Sequence, residues 1–187
     1  MPVATLDPHT ALIVIDLQKG ILDGEFIRPI GEIIGNARVL IDAFRARNLP
    51  VVLVNVAGRA PGRTEQEQRG NLSLAEGWTE LLPQLDRQPG DIAVTKRSWG
   101  AFATTDLEQQ LRARGVTQVV VTGVVTSGGV EATARQAYEQ GFNVTLALDA
   151  MTDMRAEAHE YSIRNVFPRV GETGTASEIV SLLERTL

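Results

Sequence analysis

The sequence predicts one α/β domain over residues 1–187: three layers, doubly wound, with a mainly parallel sheet flanked by helices. Three observations predict it. Short apolar runs at 11–15, 51–56 (interrupted only by Asn55) and 119–121 have the length and β-branched content of strands buried on both faces. Stretches of helical spacing alternate with those runs, which is the pattern of crossover connections between parallel strands. No repeat, linker or composition break divides the chain, and 187 residues suffice for one core.

Taken in order, residues 11–15 form the first strand and end directly on Asp16, with Gln18 just beyond. Ile30, Ile33, Ile34, Ala37, Ile41 and Phe44 then follow helical spacing, so 30–47 is an amphipathic helix, closed by Asn48, Leu49 and Pro50 before the strand at 51–56. From 57 to 77 the pattern dissolves into Gly, Pro, Arg, Gln and Glu. Here Arg59, Arg63 and Arg69 are read as scattered charge on a long loop that can also meet an anionic ligand or a partner subunit. A short strand at 91–95 leads into Lys96, Ser98, Trp99 and Phe102. Thr105 and Glu108 have capping-box spacing for a helix that ends at Arg114 and Gly115.

Residues 119–121 are the central strand. After Gly123, Ser127, Gly128 and Gly129 the spacing turns helical, which predicts a helix over 128–140. A strand that turns sharply into a helix aims backbone N–H groups at one point beyond the strand's carboxyl end, where open α/β sheets bind ligands. The next strand is 143–148 with Asp149 at its end, 155–167 reads as a helix broken by Pro168, and Thr175 to Glu178 opens a last helix.

Composition narrows the function. The net charge of −5 offers no footprint for nucleic acid, and no apolar run is long enough to cross a bilayer. The start has neither the basic residues nor the apolar core of a signal peptide, so the expected location is cytoplasmic. With no cysteine there is no disulfide, thiolate metal site or cysteine nucleophile. His9 and His159 lack ligand spacing, and neither metal nor cofactor is expected. Asp16, Lys96 and the 123–129 turn share one rim of the sheet, and a carboxylate beside an ammonium can tune it and share proton-transfer work.

The segments ALIVIDLQKG, VTKRSWGAFATTDLEQQLRARGV and VVVTGVVTSGGVEATARQAYEQGFNVTLALDAMTD, in this order and spacing, resemble the isochorismatase-like hydrolase superfamily, a Rossmann-like fold. In its cysteine-hydrolase branch the resemblance implies an Asp, Lys and Cys triad. Asp16 and Lys96 match the first two, and the nucleophile position falls on Gly129, before Val130 and Glu131. Without a thiolate the acyl-enzyme route is closed; Ser127 lies two residues early and no histidine is evident to activate it. Isochorismatases carry a glycine at that position, and the resemblance implies a carboxyl acting as general acid on a vinyl ether, with water attacking directly. That needs burial to raise Asp16 against the lowering effect of Lys96.

The resemblance also implies a cis peptide at Val124–Val125, with the amides of the Val125, Thr126, Ser127, Gly128 and Gly129 turn as oxygen-binding donors, Val125 and Thr126 foremost. Gln18, Ser98, Trp99 and Phe102 are the candidates for lining the pocket. The metal ligands of the nicotinamidase branch have no counterpart in 51–77. Family members associate, so a homo-oligomer (dimer or tetramer) through the 130–141 helix and the 151–168 segment is expected. The expected function is cysteine-independent hydrolysis of a small molecule; the alternative is a catalytically idle ligand-binding or assembly subunit.

Overall fold

The structure, a computed structural model, describes residues 2–65 and 74–185. Part of the irregular 57–77 segment, Arg69 included, lies outside the described residues. Six strands, β1 (Thr10–Ile15), β2 (Val51–Val56), β3 (Ile92–Lys96), β4 (Gln118–Val124), β5 (Asn143–Thr152) and β6 (Glu172–Gly174), form one sheet in the order β3-β2-β1-β4-β5-β6. All five strand pairings are parallel, so every carboxyl end meets the same rim. The order reverses direction between β1 and β4, and doubly wound sheets open a ligand crevice at such a switch point.

Alternation along the strands builds two cores. Ala11, Ile13 and Ile15 of β1 face a layer made by α2 (Leu107–Arg112), α3 (Glu131–Glu139) and α5 (Phe167–Val170). Leu12 and Val14 face α1 (Ile30–Ala46) and α6 (Ala176–Arg185) on the other side. Both residue sets are fully buried, which is why β1 reads as an unbroken apolar run rather than an alternating one. On α1 the buried stripe is Ile33, Ala37, Leu40, Ile41 and Phe44. Ahead of α6, Thr175 Oγ1 accepts from the Glu178 N–H while Glu178 Oε2 accepts from the Thr175 N–H, a reciprocal capping box.

Four expected boundaries move. β5 runs to Thr152 rather than 148. Its pairing with β4 slips between Val121 and Gly123, and the Thr122 hydroxyl, donating to the Ala150 carbonyl, ties the bulged stretch back to the sheet. Asp149 therefore does not end the strand; its Oδ1 accepts from the Ala176 N–H at the start of α6. Gly129 does not open an α-helix, because Thr126–Val130 is a single π-helical turn ahead of α3.

Pro168 does not break its helix either. α4 (Ala156–Tyr161) continues through a π-helical segment, Ser162–Val166, into α5, where the proline falls in a first turn and needs no N–H partner. Thr105 is not in a capping box: its Oγ1 accepts from the Leu107 N–H, while Glu108 pairs with Arg112. Among the described residues no helix is long and apolar enough to cross a membrane.

Candidate active site

β1 pairs Ile15 with Val54 of β2 on one side and Gly123 of β4 on the other, so Asp16 leaves the sheet at the middle of the rim. It leaves in a left-handed conformation, φ 53°, with its N–H still bonded to the Val54 carbonyl and its own carbonyl accepting from the Gln18 N–H. Non-glycine residues adopt this region rarely, aspartate more readily than most. Gly123 has φ 112°, and a Cβ there would lie 2.1 Å from the Ile15 carbonyl oxygen, so glycine alone lets β4 pass β1 at this point.

Lys96 ends β3, two strands from β1 and therefore about 9–10 Å away across the sheet. Its long side chain bridges that distance over β2 and sets Nζ 2.7 Å from Asp16 Oδ2 and 3.2 Å from the Ser98 carbonyl. Both partners are buried, Lys96 at 2% and Asp16 at 5% exposure. Burial pushes the Asp16 carboxyl up to about 6, against the opposing charge and hydrogen bond of Lys96. Asp16 Oδ1 is buried without a hydrogen-bond partner.

Gly129 completes the group. A Cβ built on it would lie 3.1 Å from Asp16 Oδ2 and 2.9 Å from Ile15 Cγ2, so a side chain here would sit directly on the carboxyl group. Its backbone angle does not call for glycine; the crowding does. The Gly129 carbonyl accepts from Thr133 Oγ1, which in turn accepts from the Ala101 N–H, linking the turn to the segment after β3. The Val124–Val125 peptide is cis.

A cavity of about 560 Å³ opens over this group, lined by Asp16, Lys96, Val125, Ser127, Gly128 and Gly129, with Ser98, Trp99, Trp78 and Asp153 around them. Ser98 and Trp99 thus stand where a pocket lining was expected. The other two expected lining residues, Phe102 and Gln18, do not. Phe102 packs in the core against Phe142, ring centroids 5.9 Å apart. Gln18 is a buried strut: Nε2 donates to the carbonyls of Val56 and Trp78, and Oε1 accepts from the Val56 N–H. Thr126, expected for its backbone amide, sets its side-chain Oγ1 2.8 Å from Nδ1 of the buried His159, whose pKa is lowered by burial and by Arg28 against the opposite pull of Asp153 and Glu160.

Asp153 is a cavity residue that sequence reasoning missed. It is 3% exposed, and its carboxylate accepts from the Ser127 N–H at 2.7 Å and the Arg155 N–H at 3.2 Å. The expected set of turn amides is therefore partly committed: Ser127 to Asp153, and Gly128 and Val130 to the Val125 carbonyl. Among the described residues no group of three or more histidine, aspartate or glutamate side chains could hold a metal ion.

A family model, the Isochorismatase domain, matches residues 10–178. The chain belongs to the isochorismatase family. It is 41% identical over 177 residues to the isochorismatase family protein YwoC of Bacillus subtilis (strain 168), covering 91% of this chain and 92% of YwoC. An isochorismatase family protein from Burkholderia thailandensis has a solved structure that superposes with a TM-score of 0.90 at 39% identity, covering 96% of this chain and 98% of that one. The ureidoacrylate amidohydrolase RutB of Stutzerimonas stutzeri (strain A1501) is 31% identical over 199 residues, covering 89% of this chain and 80% of RutB. The chain is an isochorismatase-family hydrolase, and its sequence contains no cysteine.

Proposed function

We propose that this isochorismatase-family hydrolase acts on a small molecule without a covalent intermediate, with Asp16 as general acid and Lys96 as its electrostatic partner. The carrying observation is the buried Asp16–Lys96 pair on the cavity floor, with Gly129 standing bare beside the carboxyl oxygen. A carboxyl raised from 3.8 to about 6 holds its proton in about a tenth of molecules at pH 7, against about one in a thousand for an ordinary aspartate, which favours a general acid. Lys96 stabilises the carboxylate left after transfer, so it helps the step without donating the proton itself.

The chemistry that suits this set is hydrolysis of an acid-labile carbon–oxygen bond of the vinyl-ether type. Asp16 delivers its proton to the alkene carbon and the ether oxygen takes up the positive charge. Water adds to the resulting oxocarbenium ion, its lost proton returns to Asp16, and the hemiketal collapses to an alcohol and a carbonyl compound. Gly129 leaves room beside Asp16 for the substrate, where a side chain would stand in the way. Ser127 has no histidine base to activate it as a nucleophile: His159 is turned to Thr126, and among the described residues no histidine lines the cavity.

Purified protein screened against vinyl ethers, small amides and carbamoyl compounds tests this. The expected result is vinyl-ether hydrolysis abolished by Asp16→Asn and retained by Ser127→Ala. Hydrolysis abolished by Ser127→Ala alone refutes the reading in favour of a serine route. Stoichiometric ligand binding with no turnover of any class points instead to an idle binding subunit.

A further inference from the structure

Asp153 lines the cavity together with Asp16, and the proposed reaction gives it no part. A carboxylate buried as deeply as this one needs partners. Its Oδ2 accepts from the Ser127 N–H at 2.7 Å, and its Oδ1 accepts from the Arg155 N–H at 3.2 Å, two residues along its own loop. Its backbone carbonyl accepts from the Ile27 N–H, so the segment ahead of α1 fixes it as well. His159 of α4 stands close enough to feel its charge, together with the charges of Arg28 and Glu160.

The Ser127 amide belongs to the turn that carries Gly129. That turn is π-helical, with the Val130 N–H reaching back to the Val125 carbonyl, a form rarer than an α-turn. Two side chains from other elements hold it: Asp153 at the Ser127 N–H, and His159 at the Thr126 hydroxyl. Of these the bond to a carboxylate is the stronger kind. The turn stands directly against the acid, since a Cβ on Gly129 would lie 3.1 Å from Asp16 Oδ2. We infer that Asp153 is a positioning residue, which by holding the Ser127 N–H keeps the Thr126–Val130 turn packed on Asp16 and water away from that carboxyl. It touches no reacting atom. Its bearing on the reaction rests on Asp16 being the acid, as proposed above. Burial is the main influence raising Asp16, and the charge opposing it is that of Lys96. A turn that lifts away therefore lowers the pKa of Asp16 by admitting water, whatever the charge on residue 153.

The test needs no turnover. Asp153→Asn removes the charge and keeps an oxygen that accepts from Ser127. Asp153→Ala removes both, and Asp153→Glu keeps the charge while displacing the acceptor by one methylene. The Asp16 carboxyl is followed by NMR titration of aspartate-labelled protein, its signal assigned with Asp16→Asn. The expected result is that Asp16 titrates as in wild type in Asp153→Asn, and about one pH unit lower in Asp153→Ala and Asp153→Glu. The Ser127 amide is expected to exchange with solvent about tenfold faster in those last two variants only. Asp153→Asn and Asp153→Ala both remove the charge beside His159, so an effect passing through His159 falls on both alike.

Asp16 titrating as in wild type in both Asp153→Ala and Asp153→Glu overturns the inference. Equal lowering in Asp153→Asn and Asp153→Ala, absent from Asp153→Glu, overturns it in favour of a direct effect of charge. If Asp153→Ala does not fold, Asp153→Glu and Asp153→Asn decide between the same outcomes. Vinyl-ether hydrolysis is read separately. Turnover that survives Asp16→Asn defeats the acid role and leaves the positioning intact. An enzyme that needs Asp16, but whose Asp16 titration ignores Asp153→Ala and Asp153→Glu, defeats the positioning alone.

Discussion

Replacing Asp16 with asparagine removes a carboxyl whose ionisation is opposed by its burial and helped by Lys96, and the balance can be read in the stability of the fold. In the folded chain Asp16 releases its proton near 6, against 3.8 for an ordinary aspartate. Between those values the folded chain holds a proton that the unfolded chain has already released. Asp16's contribution to stability is therefore fully present below about 3.8, falls as pH rises through the window, and is flat above about 6. At about 1.4 kcal/mol for each pH unit the full loss is about 3 kcal/mol. The sign is opposite to that of a surface carboxylate in a salt bridge, which strengthens the fold once ionised.

His159 works the other way. Its folded pKa is lowered, so its contribution is lost as pH falls below the ordinary histidine range. Urea unfolding of wild type and Asp16→Asn, followed by tryptophan fluorescence from about pH 4 to about pH 7.5, separates the two, because His159 and the surface carboxylates cancel in the difference. In the variant the asparagine oxygen still accepts from Lys96, so the pair's geometry is retained. The expected outcome is that the stability of wild type relative to the variant falls by about 2 kcal/mol from about pH 4 to about pH 7.5, most of the full loss. A difference that is flat, or that rises with pH, refutes the claim that desolvation outweighs Lys96 at Asp16, and with it the supply of protonated acid near neutral pH.

Gly129→Cys would place the chain's single thiol 3.1 Å from Asp16 Oδ2 at its Cβ, at an expected cost of about 1–3 kcal/mol because Ile15 Cγ2 must give way. That thiol is expected to react with iodoacetamide around neutral pH at a rate whose pH dependence changes in an Asp16→Ala background; an inert thiol, or one indifferent to Asp16, means that the three positions do not form one site. Phe102→Ala is expected to cost about 3–5 kcal/mol in urea unfolding, since Phe102 belongs to the core and not to the cavity. Stability unchanged by the substitution would refute that core role.

Much of the architecture was legible because burial on both faces leaves a direct trace. The apolar run at 51–56 coincides with β2, and the runs at 11–15 and 119–121 lie inside β1 and β4, since a strand under two helical layers has no solvent face to mark with polar residues. The same logic drew attention to Asp16: a carboxylate at the end of such a run is costly unless paired. It also hid Lys96. A lysine is normally solvated, and only the parallel register, with β3 two strands from β1, reveals that its length is used to reach Asp16.

What escaped reading has a common physical cause, which is that the missed features depend on neighbours distant in sequence. Nothing local to 143–153 announces the slip of β5 against β4, because the slip is set by Gly123 passing Ile15 and by Thr122 reaching the Ala150 carbonyl. That slip carries the strand past Asp149 and brings Asp153 to the rim, where it captures the Ser127 amide. Asp149, the candidate visible in the sequence, is thereby freed to cap α6, and the cavity gains a second carboxylate. The two π-helical segments arise in the same way: Thr126–Val130 is held by Asp153 and His159 from outside the turn, and Ser162–Val166 includes Ser162, whose hydroxyl donates to Glu131. A periodicity of 3.6 cannot show where side chains from another element insert an extra residue into a turn. Family resemblance singled out Asp16, Lys96 and Gly129, which the fold brings together at the cavity, but the elements that shape the turn beside them, Asp153 and His159, are visible only once β5 and α4 are seen packed against it.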